Sequence, residues 1–489
     1  MEAKNLGRPD SRIERDVMGE LKVPGTALYG AQTARALQNF TISGLRMPRE
    51  MIRAVGLIKA AAAQVNRDLG LLDEDRATVI VRAAMEVADG KLDEHFPVDV
   101  FQSGSGTSTN MNANEVIARR AGEIAAAPGG SPSIHPNDHV NKGQSSNDVI
   151  PAAIHVASLD AVERLLVPQL ELLVKTLEEK AVEFDEVVKV GRTHLQDAMP
   201  IRLGQEFGGY AHLIAATAED LRRASLSLCK LHLGGTAVGT GTGTHPEFGA
   251  RMAAELSAMT GLPFSETSNH FAGQSYPQAI AATSASLRSV ASVLLKVAND
   301  VRWLGSGPRS GLGELILPVV QPGSSIMPGK VNPVLAEALM MVCVQVIGLD
   351  AAVNTGAFLG NFELNTMLPL LAHNLLQEIT LLANGIAAFR TRLLEGVSVD
   401  RARVEASVEQ SLALATPLAP LIGYDAATRI AQRAHAEGRT IRDVARELGI
   451  FSPETLARLL DVHTLTEPGL PATELPASPA SAGPMRQAL

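Results

Sequence analysis

Residues 154–184, IHVASLDAVERLLVPQLELLVKTLEEKAVEF, repeat apolar side chains at three- and four-residue spacing, with charges on the opposite face. One face of an α-helix has that period, so the spacing predicts a single long rod. Similar runs occupy 203–232, 278–304, 334–356 and 364–395. An ordinary helix has about 11–12 residues. Rods much longer than that bury their apolar faces best against one another, so a mainly α chain with a central bundle of five long helices is expected. Ala and Leu dominate the runs and aromatics make up only 3% of the chain, which suits close helix–helix packing.

A chain of 489 residues exceeds the size at which one hydrophobic core keeps growing, so two or three structural units are expected. The pattern divides into an N-terminal mixed, mainly helical domain at 1–142, the long-helix bundle at 143–398, a small helical domain at 399–465 and a disordered tail at 466–489. In the first domain GELKVPGTALYG (19–30) reads as a short hairpin, with helices near 48–70 and 74–90. Shorter helices are expected at 425–438 and 441–449. The tail is rich in Pro, Ala and Ser and has almost nothing to bury, hence the expectation of disorder.

The formal charge of -9 is spread along the chain, and no Lys/Arg-rich run of five or more interrupts it. That argues against a nucleic-acid or membrane partner and for small molecules or further copies of the chain. Cys229 and Cys343 are the only cysteines; two thiols cannot supply the ligands of an iron–sulfur cluster, and a reducing compartment fits them best. The N-terminal stretch has no apolar segment and is too acidic for a transit peptide, so a cytoplasmic location is expected. The most apolar stretch, ALMMVCVQVIGL (338–349), is shorter than a membrane span and reads as a buried helix.

Four segments break the helical pattern: SGSGTSTNMNANE (103–115), HPNDHVNKGQSSND (135–148), GRTHLQD (191–197) and GSSIMPGKVNP (323–333). All are crowded with Gly, Ser, Thr and Asn, and at least three lead into a helical run. A helix start offers unpaired N–H groups and the positive end of the dipole, which makes each segment a candidate carboxylate cradle as well as a candidate cap. A nucleotide-binding loop is excluded by spacing: five residues separate Gly323 from Gly329, and Val331 stands where the magnesium-binding hydroxyl belongs. The clusters GTGTGT (239–244) and GSGPRSG (305–311) miss the dinucleotide fingerprint. His135 and His139 lack the context of a zinc site.

GSSIMPGKVNP resembles the signature of the fumarase/aspartase superfamily, and the other three polar segments resemble its remaining blocks. The similarity runs from 12–40 to 423–449. HPND, QSSND, GRTHLQDA and the Gly329–Lys330 pair are most similar to the class II, iron-independent fumarate hydratase branch; aspartase is the alternative. The resemblance implies a three-domain fold with a twenty-helix core in a homotetramer, active sites shared between three subunits, and no cofactor or metal. It implies reversible hydration of fumarate to L-malate through an aci-carboxylate carbanion. Ser324 would take the proton from carbon 3, Lys330 and Asn332 would hold the charged carboxylate, and His194, oriented by Glu337, would handle the water. Thr107, Ser145, Ser146, Asn147 and Thr193, helped by Ser105, would bind the substrate. His135, Asn137 and Asp138 would form a second anion site, although the arginine that some relatives carry just upstream is missing here. GTGTGTHP (239–246) and Ala419 also depart from the common pattern.

Overall fold

The computed structural model describes residues 10–126 and 133–469. The expected tail lies outside the described residues from 470 onward. The chain opens with an antiparallel hairpin, β1 (Ser11–Asp16) and β2 (Gly19–Pro24), in register from Ser11 opposite Pro24 to Asp16 opposite Gly19. The hairpin therefore lies upstream of the 19–30 expected from sequence. Its tight link at residues 17 and 18 contains no glycine, so the turn signal at Pro24–Gly25 drew the expectation too far along.

Helices α1 (Ala31–Asn39), α2 (Arg49–Asp68), α3 (Glu74–Ala88), α4 (Thr107–Ala125) and α5 (Ser146–Ala161) follow. Next come α6 (Val167–Glu183), a second hairpin of β3 (Val188–Thr193) and β4 (Gln196–Arg202), and α7 (Leu203–Ser225). The chain continues with α8 (Phe248–Thr260), α9 (His270–Ser275), α10 (Gln278–Leu304), α11 (Val334–Ala357) and α12 (Leu368–Arg392). Shorter helices include Tyr424–Glu437 and Ile441–Leu448. The long runs read from periodicity are thus helices, and the chain is mainly α.

Two compact units divide the chain. The first takes residues up to 170, 216–295 and 340–386; the second takes 171–215, 296–339 and 387 onward. In the first unit α2 packs on α3, α5 and α8, through buried Ile52, Val55, Ile58 and Ala62. Gly56 allows the close approach of α2 to α3, because a Cβ there would sit 2.7 Å from the backbone nitrogen of Ala88. In the second unit Leu414, Leu418, Ile430, Val444 and Leu459 form one apolar cluster, and Val188 and Val190 of β3 pack on Val408.

Candidate active site

In the first unit, the turn before α4 is built by backbone contacts that exclude side chains. A Cβ on Gly104 would fall 2.0 Å from the carbonyl oxygen of Thr366, and Gly106, at φ 72°, begins the helix from the left-handed region. Ser105 Oγ and Thr107 Oγ1 share a hydrogen bond of 2.8 Å at that start. The polar segment 103–115 is thus mostly helix. Its polarity faces inward: Thr109, Asn110, Asn112 and Asn114 are buried, and each donates at least one side-chain hydrogen bond. Thr109 donates to Gln102 Oε1 and Asn112 to the carbonyl of His95.

The start of α5 completes this polar cluster. Ser145 Oγ accepts from the N–H of Asn147 (3.2 Å), and Asp148 accepts from the N–H of Ser145 (2.9 Å), the two halves of a capping box. Asp148 also accepts from the N–H groups of Gly234 and Thr236. Burial nevertheless pushes its carboxyl up to about 6, against the pull of those N–H donors and of the Lys59 charge. Asn147 donates to the carbonyl of Ala237 at 2.7 Å. Ser146 Oγ accepts from Asn110 Nδ2 at 3.1 Å. The departing segment 239–246 lies beside this cluster, since a Cβ on Gly143 would come within 2.9 Å of Thr244 Oγ1.

His135, Asn137 and Asp138 sit on a single helical turn, Pro136–Val140, where His135 Nδ1 accepts from the N–H of Asp138. His135 and Asn137 line a cavity of about 530 Å³ together with Arg12, Arg15 and Arg119. Arginines of β1 and α4 thus share this cavity with Glu14, Asp16 and Glu115, a grouping that linear spacing could not show.

In the second unit, Thr193 and His194 occupy the exposed tip of the β3–β4 hairpin. His194 and Leu195 have φ of 57° and 60°, a left-handed pair that L-residues adopt at a cost in sharp, specialised turns. The root of the hairpin is held by charge. Glu314, only 2% exposed, pairs with Arg192 at 2.5 Å and with Lys189 at 3.1 Å, and Lys189 also reaches Glu206 at 3.0 Å.

The loop 318–333 of the same unit arranges its polar groups around Ser324. Ser324 Oγ accepts from the N–H groups of Ile326 (3.2 Å) and Met327 (2.8 Å). Lys330 Nζ donates to Asn332 Oδ1, and Asn332 Nδ2 donates to the carbonyl of Gly323. Gly323 is demanded by this closure, because a Cβ there would lie 2.3 Å from the carbonyl oxygen of Lys330. Glu337 stands in the first turn of α11, its N–H bonded to Pro333. Among the described residues, neither a hydrogen bond nor an ion pair of the protomer joins His194 to Glu337.

The structure thus groups Ser105 with Thr107, Ser146 with Asn110, and Lys330 with Asn332 and Gly323. Sequence reasoning missed Asn110, Asn114, Asn141 and Lys59 in the first unit, and the Arg192–Glu314–Lys189 trio in the second. A signal existed for Lys59, a lone charge inside the apolar run GLIKAAAAQV (56–65). No signal paired Glu314 with residues more than a hundred positions away.

The sequence matches the lyase family over residues 19–348 and the fumarase C C-terminus over residues 414–467. The class II fumarate hydratase of Nitrosomonas europaea is 50% identical over 93% of this chain and 99% of its own. That of Halobacterium salinarum is 53% identical over 94% of this chain and 98% of its own. The crystal structure of a class II fumarase from Schistosoma mansoni superposes with a TM-score of 0.90 at 36% identity, covering 93% of this chain and 99% of that one.

Proposed function

The chain belongs to the class II fumarate hydratase family, and we infer that it is a hydro-lyase catalysing the reversible hydration of fumarate to L-malate. The observation that carries the chemistry is the pair of backbone N–H groups aimed at Ser324 Oγ. A serine is a poor base because its alkoxide is unstable; two fixed donors stabilise that alkoxide. In the malate direction Ser324 takes the proton from carbon 3, and the electron pair spreads into the neighbouring carboxylate. The ammonium of Lys330 and the amide of Asn332 stabilise the resulting aci-carboxylate more than the ground state, which is where rate enhancement comes from. His194, held in one tautomer by Glu337, protonates the departing hydroxyl of carbon 2 as water. The double bond forms as the carbon–oxygen bond breaks.

Thr107, Ser145, Ser146, Asn147 and Thr193 bind the substrate carboxylates and the added oxygen, and Ser105 orients Thr107. His135, Asn137 and Asp138 serve as the second anion site, with arginines from β1 and α4 in the cavity that His135 and Asn137 line. We place the protein in the cytoplasm, as a homotetramer whose active sites combine segments from three subunits. In support, α11 exposes an apolar stripe in the protomer, with Met341 at 67% and Val344 at 60%. The division at 1–142, 143–398 and 399–465 is proposed to hold for the functional domains.

Purified protein is tested with malate, fumarate and aspartate, following fumarate by its ultraviolet absorbance. Turnover of malate and fumarate without ammonia release from aspartate is expected. A signal with aspartate alone would replace the hydratase with the ammonia-lyase.

A further inference from the structure

Lys59 is the largest fully buried side chain of the first unit, at 0% exposure in the middle of α2. Its ammonium donates to Asn141 Oδ1 and Gln144 Oε1, both at 2.9 Å. Among the described residues no carboxylate stands within ion-pair distance of it. A buried charge held by neutral amides is expensive and is retained where it performs a task.

The task follows from counting donors. An ammonium has three hydrogens and no acceptor, so any amide that meets it must turn its oxygen inward. Asn141 Oδ1 is fixed in that way, and the amide nitrogen of Asn141 is directed to the carbonyl of Gln144 at 3.1 Å. Gln144 is fixed likewise, its nitrogen donating to the carbonyls of Val140 and Lys142. Asn141 Oδ1 then accepts from Asn110 Nδ2 and Asn114 Nδ2, both at 3.1 Å. This settles Asn110 with its nitrogen toward the cluster, and that nitrogen also donates to Ser146 Oγ at 3.1 Å. Ser146 Oγ is thereby used as an acceptor, which leaves its own hydrogen free for a carboxylate.

We propose that Lys59 is a positioning residue: through Asn141 and Asn110 it sets the direction of the Ser146 hydroxyl, so that the carboxylate-binding segment presents a donor. The proposal rests on the hydratase reading, in which Ser146 meets a substrate carboxylate. Burial lowers the Lys59 ammonium to about 7, while the charge of Asp148 opposes the shift, so the test is run about one pH unit below that value.

Lys59→Met, Lys59→Arg, Asn110→Ala and Ser146→Ala are compared with the unaltered protein, kcat and KM being measured for fumarate and malate. A donor that contacts ground state and transition state alike acts on KM. Lys59→Met and Asn110→Ala are expected to raise KM about ten-fold while kcat changes less than about three-fold. Lys59→Arg, which still donates and never accepts, should restore KM to within about three-fold. In the Ser146→Ala background Lys59→Met should add little, because the chain ends at Ser146. Unchanged KM in a folded Lys59→Met protein, or a full multiplicative effect on top of Ser146→Ala, overturns the proposal. If Lys59→Met does not fold, Asn110→Ala decides alone, since it cuts the same chain and leaves Lys59 with Gln144. No turnover of fumarate by the unaltered protein would instead defeat the hydratase reading.

Discussion

Ser284 offers one hydroxyl hydrogen to two buried carboxyls, Asp350 at 2.9 Å and Glu378 at 3.0 Å. Asp350 also meets Arg288 at 3.2 Å and the amide of Asn354. Glu378 is 0% exposed, and burial drives its carboxyl well above the ordinary range, with the Asp350 charge adding to the rise. In the unfolded chain the same carboxyl ionises near its ordinary value, so its contribution to stability is complete below that value and is lost as pH rises toward the folded value. Glu378→Gln keeps a donor and removes the penalty. It is expected to stabilise the protein by at least about 1 kcal/mol at mildly alkaline pH and by almost nothing near pH ~4, as read from denaturant unfolding across pH. Ser324 raises the opposite problem, since it must lose a proton. Ser324→Ala should lower kcat by roughly 10²–10⁴-fold, the span usual for a general base, with the association state unchanged by sedimentation.

At the scale of elements, the loop 318–333 is closed by Gly323 and turned by Gly329, and the two glycines are needed for different reasons. Gly329 has φ 79° and nothing within 4 Å of a built Cβ, so an alanine there meets only backbone strain. At Gly323 the obstacle is the other arm of the loop, with Asn332 N 2.7 Å from a built Cβ. Gly323→Ala should therefore part Lys330 and Asn332 from Ser324 and lower kcat by about ten-fold or more. Because the loop is largely exposed, the melting temperature should move little, and calorimetry beside steady-state kinetics separates the two effects. Such closures were not legible in the sequence, whereas the helices were. The run 278–304 coincides with α10, and 334–356 misses the end of α11 by one residue, because an apolar period sustained over seven turns has no competing reading. Segment 103–115 failed as a loop because its asparagines, which favour turns when exposed, donate from α4 to the carbonyl of His95 and to Asn141 Oδ1. Ser324, Lys330 and Asn332 could be picked out because they lie in one short segment that resembles the family signature. Lys59 and Glu314 act through partners that only the fold delivers.

The whole molecule poses a question of exposed apolar surface. Both α10 and α11 are long and apolar enough to cross a bilayer by composition, yet α10 is a half-buried bundle helix whose exposed positions include Arg288 and Lys296. On α11 the uncovered residues of the first unit are Met341, Val344, Gln345, Gly348, Ala351 and Thr355, spaced as one helix face. The large Met341 and Val344 are followed along it by the small Gly348 and Ala351, and a built Cβ on Gly348 meets nothing within 4 Å. A face of that shape lets a second helix approach closely, and helix–helix seams are made this way. Residues that are 67% and 60% exposed in the protomer would be covered in the proposed tetramer, where burying an unpaired carboxylate is prohibitive. Val344→Glu is accordingly expected to yield a folded, helical protomer or dimer with turnover reduced by about 10²-fold or more, because each site would lose segments supplied by its neighbours. Sedimentation velocity and circular dichroism on the same sample check it. An intact tetramer carrying the charge would show that this face looks outward, and the subunit-sharing arrangement would have to be built on another.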